Sequence, residues 1–355
     1  MATAVVFGGY GTFGSIVAQE LADQGICVTI AGRDQARAET FAKSLGRVHR
    51  GLAADVTNPS SCREVLEGQN VAANCAGPFS SFADTLLQAC QDTGCHYVDI
   101  ADDRNFTQLV RSKGELFRQK KLAAVHGCSS LPAISGALAL TTLSEATATP
   151  ERARVTLFIG NNNPKGRAAI AWLVEGLGKA IRAPQGIVKG FRDREVVSLP
   201  PPFGRRSVFN LESPEYDLFP PLLGVQAVTV KVGFEFRPAN YLFAMLALLD
   251  AKFGKATAHF FTWLGNRTPR FGSSGGAVMV ELFFHDGSAR RATMLAREHG
   301  QRMAALPCAL VARSLCMKPV TRFGAMTAFE FLGAHALLNA LTQHGFELSF
   351  SRIDN

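Results

Sequence analysis

The chain has 355 residues, and this length predicts two domains at ~100–200 residues per domain. Its 47% hydrophobic and 19% charged residues exclude a disordered chain, and it lacks the repeats of collagen or a coiled coil. The formal net charge of +8 comes from scattered Lys and Arg residues. This pattern favours an anionic cofactor or substrate as the partner and argues against nucleic acid.

The eight cysteines form no CxxC pair and no Cys/His cluster with the spacing of zinc ligands, so we expect no metal site. The N-terminus enters a strand-like run without a basic segment before it. Together these features predict a reduced, cytoplasmic protein whose cysteines pack as small apolar side chains.

Residues 1–132 alternate between short apolar runs and helical patterns. The predicted strands are 4–7, 27–31, 48–53, 71–75, 96–100 and 122–126. The predicted helices are 12–24, a helix from Asp34 to about 45, 59–66, 82–93 and 109–119. Such alternation predicts βαβ units and an α/β fold, a Rossmann domain with a doubly wound parallel sheet.

The pattern changes beyond this point and predicts a second, α+β domain over 133–322 on a mostly antiparallel sheet. Predicted strands are 154–159, 225–236, 277–284 and 289–298, with a hairpin turn at 285–288. Predicted helices are 134–143, 168–181, 306–315 and 330–343. Residues 200–221 are rich in proline and predict a mobile loop. Residues 323–355 form a C-terminal segment that we expect to pack back on the first domain.

The strongest signal is a GxGxxG sequence between the first strand and the first helix. It consists of Gly9, Tyr10, Gly11, Thr12, Phe13 and Gly14. In this context the first glycine permits a tight turn, the second admits a pyrophosphate and the third lets helix and strand pack closely. Free N–H groups at the helix start attract phosphates. The alternative is a glycine-rich turn without a ligand.

The end of the second strand bears on the choice of cofactor. An NAD site usually has an acid here, whereas this chain has Gly32 and Arg33, which offer space and a cation for a 2′-phosphate. Asp34 is better placed as a helix N-cap. We therefore predict NADP, with NAD less favoured; the alternative is that Arg33 is a solvated surface residue.

Two further strand ends are candidates for cofactor contacts. Asp55 and Val56 follow the third strand, and small residues follow the fourth, where a cofactor lies across such a sheet. The residues after the fourth strand are Cys75, Ala76, Gly77, Pro78 and Phe79. The alternative is that both segments are ordinary strand-to-helix turns.

These segments together resemble the saccharopine dehydrogenase-like family of NAD(P)-binding oxidoreductases. The resemblance rests on the segments 8–14, 31–33, 55–56, 74–79, 96–99 and 127–132. It implies a Rossmann domain, an α+β domain that shapes the substrate site and often a dimer interface, and NAD(P)-dependent redox chemistry. The chain has Ala101-Asp102-Asp103 where usual members have Gly-Glu after this strand, and this departure argues against a direct transfer of saccharopine chemistry.

Candidate catalytic residues follow the fifth strand. Tyr97, Asp99 and Asp102 are proton donors at or near its end, with His96 and His126 behind them. Two acids in one pocket would raise the pKa of one of them. The alternative is that the acids cap the next helix and Tyr97 packs in the core.

Candidate substrate contacts lie in the second domain. Lys165 and Arg167 open a predicted helix and Arg205 follows the proline run, so each offers a cation to a carboxylate or phosphate. The alternative for each is a solvated basic loop.

The sequence thus predicts an NADP-dependent oxidoreductase that moves a hydride between nicotinamide and a small or medium-sized organic substrate of imine, carbonyl or enoyl type. The alternative is a non-catalytic NADP-binding sensor or scaffold of the same fold. Residues 241–264 are too apolar for a solvated helix and too short, in their leading part, for a membrane span. We expect a homodimer interface there; contact with a membrane surface is the alternative.

Overall fold

A computed structural model describes residues 2–79, 84–164, 166–249, 257, 260–261, 263 and 271–353, without the side chains of 167–169. The chain divides into two compact units. The first unit comprises Met1–Ser129 and Ala304–Leu332, and the second comprises Ser130–Met303 and Gly333–Asn355.

The strands are β1 (Thr3–Phe7), β2 (Cys27–Gly32), β3 (Arg50–Ala53), β4 (Val71–Asn74), β5 (His96–Asp99), β6 (Ala123–His126), β7 (Pro150–Ile159), β8 (Ala180–Ala183), β9 (Gly186–Lys189), β10 (Glu195–Leu199), β11 (Gly204–Asn210), β12 (Ala227–Phe234), β13 (Gly276–Phe284), β14 (Ala289–Ala296), β15 (Gly324–Thr327) and β16 (Glu347–Arg352).

The helices are α1 (Gly14–Asp23), α2 (Gln35–Leu45), α3 (Pro59–Leu66), α4 (Thr85–Thr93), α5 (Arg104–Ser112), α6 (Gly114–Gln119), α7 (Ser135–Ser144), α8 (Arg167–Glu175), α9 (Glu215–Leu223), α10 (Arg237–Leu246), α11 (Gly300–Met317), α12 (Ala328–Leu332) and α13 (Ala334–Gln343). A short π-helical turn, Ser130–Ile134, precedes α7.

The sheet of the first unit is parallel throughout, with the strand order β15-β6-β5-β4-β1-β2-β3. The predicted Rossmann architecture is confirmed. The order reverses between β1 and β4, and ligands of such sheets bind at this point, outside the carboxyl ends of the strands. Apolar side chains of β1, β2 and β4 are fully buried because helices cover both faces of a parallel sheet.

The main sheet of the second unit has the order β10-β11-β12-β7-β13-β14-β16. Of its pairs, β12 with β7 is parallel and the others are antiparallel, so the predicted mostly antiparallel sheet is also confirmed. The predicted hairpin turn joins β13 to β14, where Asp286 Oδ1 accepts a hydrogen bond from Ser288 N. A separate hairpin consists of β8 and β9.

Several predicted elements need correction. The helix predicted over 109–119 is two helices, α5 and α6, and the one predicted over 168–181 ends earlier, because residues 180–183 pair with β9 as strand β8. The predicted loop 200–221 contains β11 and α9. Pairing with β10 and β12 stabilises β11, and such long-range hydrogen bonds leave little trace in a short segment.

The C-terminal residues 304–353 also differ from the predicted domains 133–322 and 323–355. Residues 304–332 belong to the first unit, where β15 pairs with β6, whereas 333–353 lie in the second unit and end in β16 beside β14. The chain thus passes between the units more often than a linear division predicts.

A buried ion-pair cluster lies in the middle of the second sheet. Glu281 on β13 is fully buried and stands opposite Arg154 on β7 and Arg291 on β14. Its carboxylate accepts hydrogen bonds from Arg154 Nε at 2.6 Å and from Arg291 Nη2 at 2.7 Å. Because both guanidinium groups neutralise one buried carboxylate, the cluster fixes the register of three strands.

We predict that Glu281→Gln lowers the free energy of unfolding by about 3 kcal/mol, because it removes the charge that both arginines share. Glu347→Gln is the control: its pair with Arg297 is half exposed, so we expect a loss below about 1 kcal/mol. Urea denaturation followed by circular dichroism measures both variants. Equal losses would show that the cluster contributes no more than a surface pair.

Candidate functional site

The loop after β1 has a tightly folded backbone. Gly8 has φ +69°, its N–H donates to Ala31 O at 2.8 Å, and its own carbonyl accepts from Gly11 N at 2.8 Å. A Cβ at Gly14 would lie 2.2 Å from Gly8 O, and a Cβ at Gly9 would lie 2.8 Å from Val6 O. Glycine is therefore required at positions 9 and 14 for the loop to close against β1.

Backbone donors remain available at the start of α1. Among the described residues, the N–H groups of Thr12 and Phe13 have no hydrogen-bond partner. They precede the first turn of α1, whose dipole favours negative charge. These donors and Gly11, where an added Cβ would lie 3.0 Å from Gly8 O and meet no other atom of the described residues within 4 Å, form a cradle that fits a pyrophosphate.

The end of β2 is occupied by a side chain of this same loop. The Tyr10 hydroxyl accepts a hydrogen bond from Asp34 N at 3.0 Å, and a Cβ on Gly32 would lie 2.5 Å from the Tyr10 ring. Gly32 therefore makes room for Tyr10, and not for a phosphate as we expected from the sequence. Asp34 is the predicted N-cap of α2, because its Oδ1 accepts from Arg37 N.

Two arginines flank the Tyr10 ring region. Arg33 is exposed after β2, and the guanidinium of Arg37 lies 4.6 Å from the Tyr10 ring centre. Arg37 is a functional candidate that the sequence argument missed, although its signal is visible: it follows Arg33 by four residues across the start of α2. Together the two side chains offer cations after β2, where an adenosine 2′-phosphate would lie.

The ends of β3 and β4 complete this edge of the sheet. Asp55 is half-buried, and hydrogen bonds from the Thr57 N–H and hydroxyl, together with the nearby Arg33, keep the pKa of its carboxyl below the ordinary range. The backbone of Cys75 and Ala76 approaches Gly8 so closely that a Cβ added at Gly8 would lie 2.9 Å from Ala76 N. Val56, Gly77 and Pro78 lie at this edge as well, and Phe79 packs on Phe106.

A row of buried polar side chains crosses the carboxyl end of four adjacent strands. Asn74 aligns with Asp99 across β4 and β5, and His126 aligns with Thr327 across β6 and β15. Asp99 and His126 stand one position beyond the paired Val98 and Val125. Aligned residues of parallel strands point to the same face, so the four side chains share one face of the sheet, and all are buried. The sequence argument missed Asn74 and Thr327.

Asp99 is the buried acid of this row. Its Oδ1 accepts hydrogen bonds from Gly127 N at 2.8 Å and Ala101 N at 3.0 Å, while Oδ2 makes none of good geometry among the described residues. Burial raises the pKa of Asp99 to about 7, with Asp102 adding a smaller contribution of the same sign. The sequence argument named only the second cause.

Tyr97 lies two residues before Asp99 and is also fully buried. Its hydroxyl accepts a hydrogen bond from Asn74 Nδ2 at 3.1 Å, and burial raises its pKa well above the ordinary value. Asp102 is half-buried, so it is the most accessible of the three predicted catalytic residues. Neither acid caps α5; Asp103 does, through a hydrogen bond from Phe106 N.

His126 is fully buried, and neither ring nitrogen has a hydrogen-bond partner within the described part of the chain. Burial lowers its pKa to about 3. The imidazole is therefore neutral at physiological pH, beside an acid that titrates near neutrality.

In the second unit, asparagines tie two loops together. Asn161 N, Ser273 N and Ser273 Oγ all donate to Glu235 Oε2, at 2.9, 2.7 and 3.1 Å. Asn162 Nδ2 donates to Gly272 O, and Asn163 Nδ2 donates to Gly275 O. This arrangement fixes the segment that leads to α8, where the candidate substrate cations lie.

The candidate substrate residues have different outcomes. Lys165 lies outside the described residues, and Arg167 is the first residue of α8 but its side chain is not among those described. Arg205 is exposed, yet it lies on β11 opposite Ser198 and not on a mobile loop. Its position is fixed by pairing with β10.

Comparison with known proteins finds a family match for the N-terminal part of the first unit. Residues 4–127 match the family model of the saccharopine dehydrogenase NADP-binding domain. The match ends with β6 and contains every predicted cofactor-binding residue, so the predicted resemblance to this family is confirmed for this segment.

Curated relatives match this chain over less than half of its length and of their own. The chain is 27% identical over 182 residues to the mouse saccharopine dehydrogenase-like oxidoreductase, and 26% identical over 176 residues to the human one. These matches cover 46% and 44% of this chain but only 42% and 41% of the relatives. The chain thus matches less than half the length of these proteins.

The fold as a whole has a solved counterpart. Apo saccharopine dehydrogenase (L-Glu forming) from Saccharomyces cerevisiae aligns over 100% of both chains with a TM-score of 0.68 at 14% identity. At this identity the likeness shows the fold alone: a parallel Rossmann-like sheet followed by a second, mixed sheet.

The two buried groups of the row predict opposite dependences of stability on pH. The pKa of Asp99 in the folded chain, about 7, lies above ~3.9 for an unfolded Asp, so its stabilising contribution is full below pH ~4 and is lost as pH rises to 7. The pKa of His126, about 3, lies below ~6.5, so its contribution is full above pH ~6.5 and is lost as pH falls.

We therefore expect the stability of Asp99→Asn, relative to the parent, to rise by up to about 4 kcal/mol between pH 4 and 7. The stability of His126→Gln relative to the parent should change in the opposite direction over this range. Urea denaturation at half-unit steps of pH measures both. Parallel curves for parent and Asp99→Asn would mean that Asp99 titrates as an exposed acid does.

Proposed function

We propose that this chain is an NADP-dependent oxidoreductase that transfers a hydride between nicotinamide and a small or medium-sized imine, carbonyl or enoyl compound. One observation carries the proposal: the glycine cradle with its unpartnered Thr12 and Phe13 N–H groups lies at the point where the parallel strand order reverses. The names of the relatives as oxidoreductases support it.

The preference for NADP over NAD rests on the charges after β2. Arg33 and Arg37 offer two guanidinium groups, and Asp34, the acid nearest to them in sequence, is engaged as a helix cap. Asp55 is held at the end of β3 by Thr57 and lies near Arg33. A 2′-phosphate gains charge-assisted hydrogen bonds here that a 2′-hydroxyl lacks.

The cofactor, when bound, supplies or accepts the hydride, and the chain supplies position and protons. Asn74, at the end of β4, holds the Ala76 N–H and the Tyr97 hydroxyl, which fixes the edge that the nicotinamide would follow. Asp99, with its raised pKa, exchanges a proton near pH 7, and half-buried Asp102 lies close enough to influence it. We propose that Asp102 meets the substrate and that Asp99 and Tyr97 position this strand end.

A second candidate function is NADP sensing or scaffolding without catalysis. The complete burial of Tyr97 and Asp99 favours it, because groups closed to solvent do not reach a substrate in this conformation. Turnover separates the two functions: NADPH oxidation with any member of a panel of imines, ketones and enoyl esters supports the enzyme. Tight NADPH binding without turnover of any compound in the panel, in the parent and in Asp102→Asn alike, supports the sensor.

The remaining partner assignments keep the status of predictions. We propose a small, anionic or partly apolar substrate and no nucleic-acid partner, on the charge pattern of the sequence. A cytoplasmic location is a prediction as well. A plant relative, 34% identical over 61 residues, is called a probable mitochondrial saccharopine dehydrogenase-like oxidoreductase, so relatives do not all share that location.

The cradle predicts the effect of filling it. Gly11→Val should lower NADPH affinity at least tenfold while the fold persists, because its side chain would occupy the space of the pyrophosphate. Gly176→Ala in the second unit, where a Cβ makes ordinary contacts, is the control. Isothermal titration calorimetry measures both; parental affinity in Gly11→Val would place the pyrophosphate elsewhere.

The two arginines predict a change of cofactor preference. Arg33→Gln and Arg37→Gln should each weaken NADPH by about tenfold or more, since a charge-assisted hydrogen bond contributes ~1.5–3 kcal/mol, and should leave NADH almost unchanged. Arg63→Gln on α3 removes an exposed arginine of the same unit and is the control. Equal weakening of both cofactors in either variant would remove that arginine from the 2′-phosphate site.

A further inference from the structure

One helix of the second unit exposes an apolar face. Along α10 and the turn after it, Tyr241, Leu242, Met245, Leu248 and Leu249 are 37–64% exposed. Their spacing of i, i+1, i+4, i+7 and i+8 places them on one side of the helix. The described part of the segment 241–264 thus carries an apolar face that is open to solvent.

The other side of α10 anchors it in the second unit. Asn240, Phe243 and Ala247 are buried, and Asn240 Nδ2 and Oδ1 bond to the backbone of Phe234 at 2.7 and 2.9 Å. The Phe243 ring packs on Phe191 at 5.5 Å between ring centres. The exposed face is therefore held rigidly outward by its own core contacts.

Two more aromatic side chains extend this face. Phe261 packs against Phe243 at 5.2 Å, and its neighbour Phe260 stacks on Trp263 at 6.2 Å. Phe260 and Trp263 are both about half exposed. We define the apolar face as Tyr241, Leu242, Met245, Leu248, Leu249, Phe260 and Trp263. Tyr, Trp and Leu together are typical of protein segments at a bilayer surface.

The charge around the apolar face identifies its occupant. Arg194 lies 5.7 Å from the Tyr241 ring centre. The pKa of the Tyr241 hydroxyl is lowered mainly by its hydrogen bond with Ser207, and less by the nearby charges of Arg194 and Arg237. A two-fold contact would place these two arginines against their own copies, whereas an anionic lipid surface complements them.

We propose that the apolar face docks the protein on the surface of an anionic lipid membrane. The apolar side chains would enter the boundary between headgroups and acyl chains, and Arg194 and Arg237 would contact anionic headgroups. Within the described residues no helix combines the length and hydropathy needed to cross a bilayer, so the attachment proposed here is to one surface. This inference is independent of the proposed redox function.

Flotation with lipid vesicles tests the proposal on the full chain. We expect the protein to float with vesicles of phosphatidylcholine and phosphatidylserine at 50 mM salt, much less with phosphatidylcholine alone, and less again at 500 mM salt. Leu248→Ser/Leu249→Ser should reduce the floating fraction at least fivefold. Leu116→Ser/Met317→Ser, which replaces two similarly exposed apolar residues of the first unit, should not.

A fluorescence measurement tests membrane contact in a chain that keeps Leu248 and Leu249, so misfolding of the serine variant cannot explain its result. The chain has two tryptophans, so Trp172→Phe leaves Trp263 as the only reporter. We expect its emission to shift to the blue and to be quenched by brominated lipid in anionic vesicles. The proposal is overturned if the chain does not bind anionic vesicles. It is also overturned if light scattering gives the mass of a dimer for the parent and of a monomer for Leu248→Ser/Leu249→Ser, because the apolar face would then bind a second copy.

Discussion

The close approach of the β1–α1 loop to its neighbours is the constraint on which the first unit's site depends. Gly8 touches the backbone of Cys75 and Ala76 after β4, and Gly14 touches Gly8 itself, at distances that exclude any side chain. This contact brings the start of α1 to the point where the strand order reverses. The cradle for a pyrophosphate is thus a consequence of backbone packing, and not of any charged side chain.

The same packing decides what the nearby side chains do. Because the loop turns back towards β2, Tyr10 covers Gly32 and accepts the Asp34 N–H, and Arg37 lies against its ring. The loop, the end of β2 and the first turn of α2 therefore behave as one group of contacts. A cofactor phosphate bound there would meet Arg37, whose position the Tyr10 ring restricts.

The polar row at the ends of β4, β5, β6 and β15 is the second consequence of the parallel sheet. Strands that end in register place one residue each on the same face, so Asn74, Asp99, His126 and Thr327 share an apolar environment. That environment moves the pKa of Asp99 up and the pKa of His126 down. Burying such groups is costly, and sites with shifted pKa values concentrate in functional regions of enzymes.

Local sequence patterns predicted much of the fold and of the cofactor site. Residues 59–66 were predicted as a helix with the bounds of α3, Asp34 caps α2, and the glycines at 9, 11 and 14 form the loop that their spacing indicates. These features depend on residues within one or two turns of each other. They are therefore visible in a short window of sequence.

Contacts between distant segments decided the rest. Only the tertiary structure adds β15 beside β6, buries Tyr97 and Asp99, converts the proline-rich segment into β11 and α9, and exposes one face of α10. The sequence by itself determined the alternating strands and helices of residues 1–132 and the glycine loop after β1. Burial and exposure were left to the folded chain, because they are sums over neighbours that are far apart in sequence.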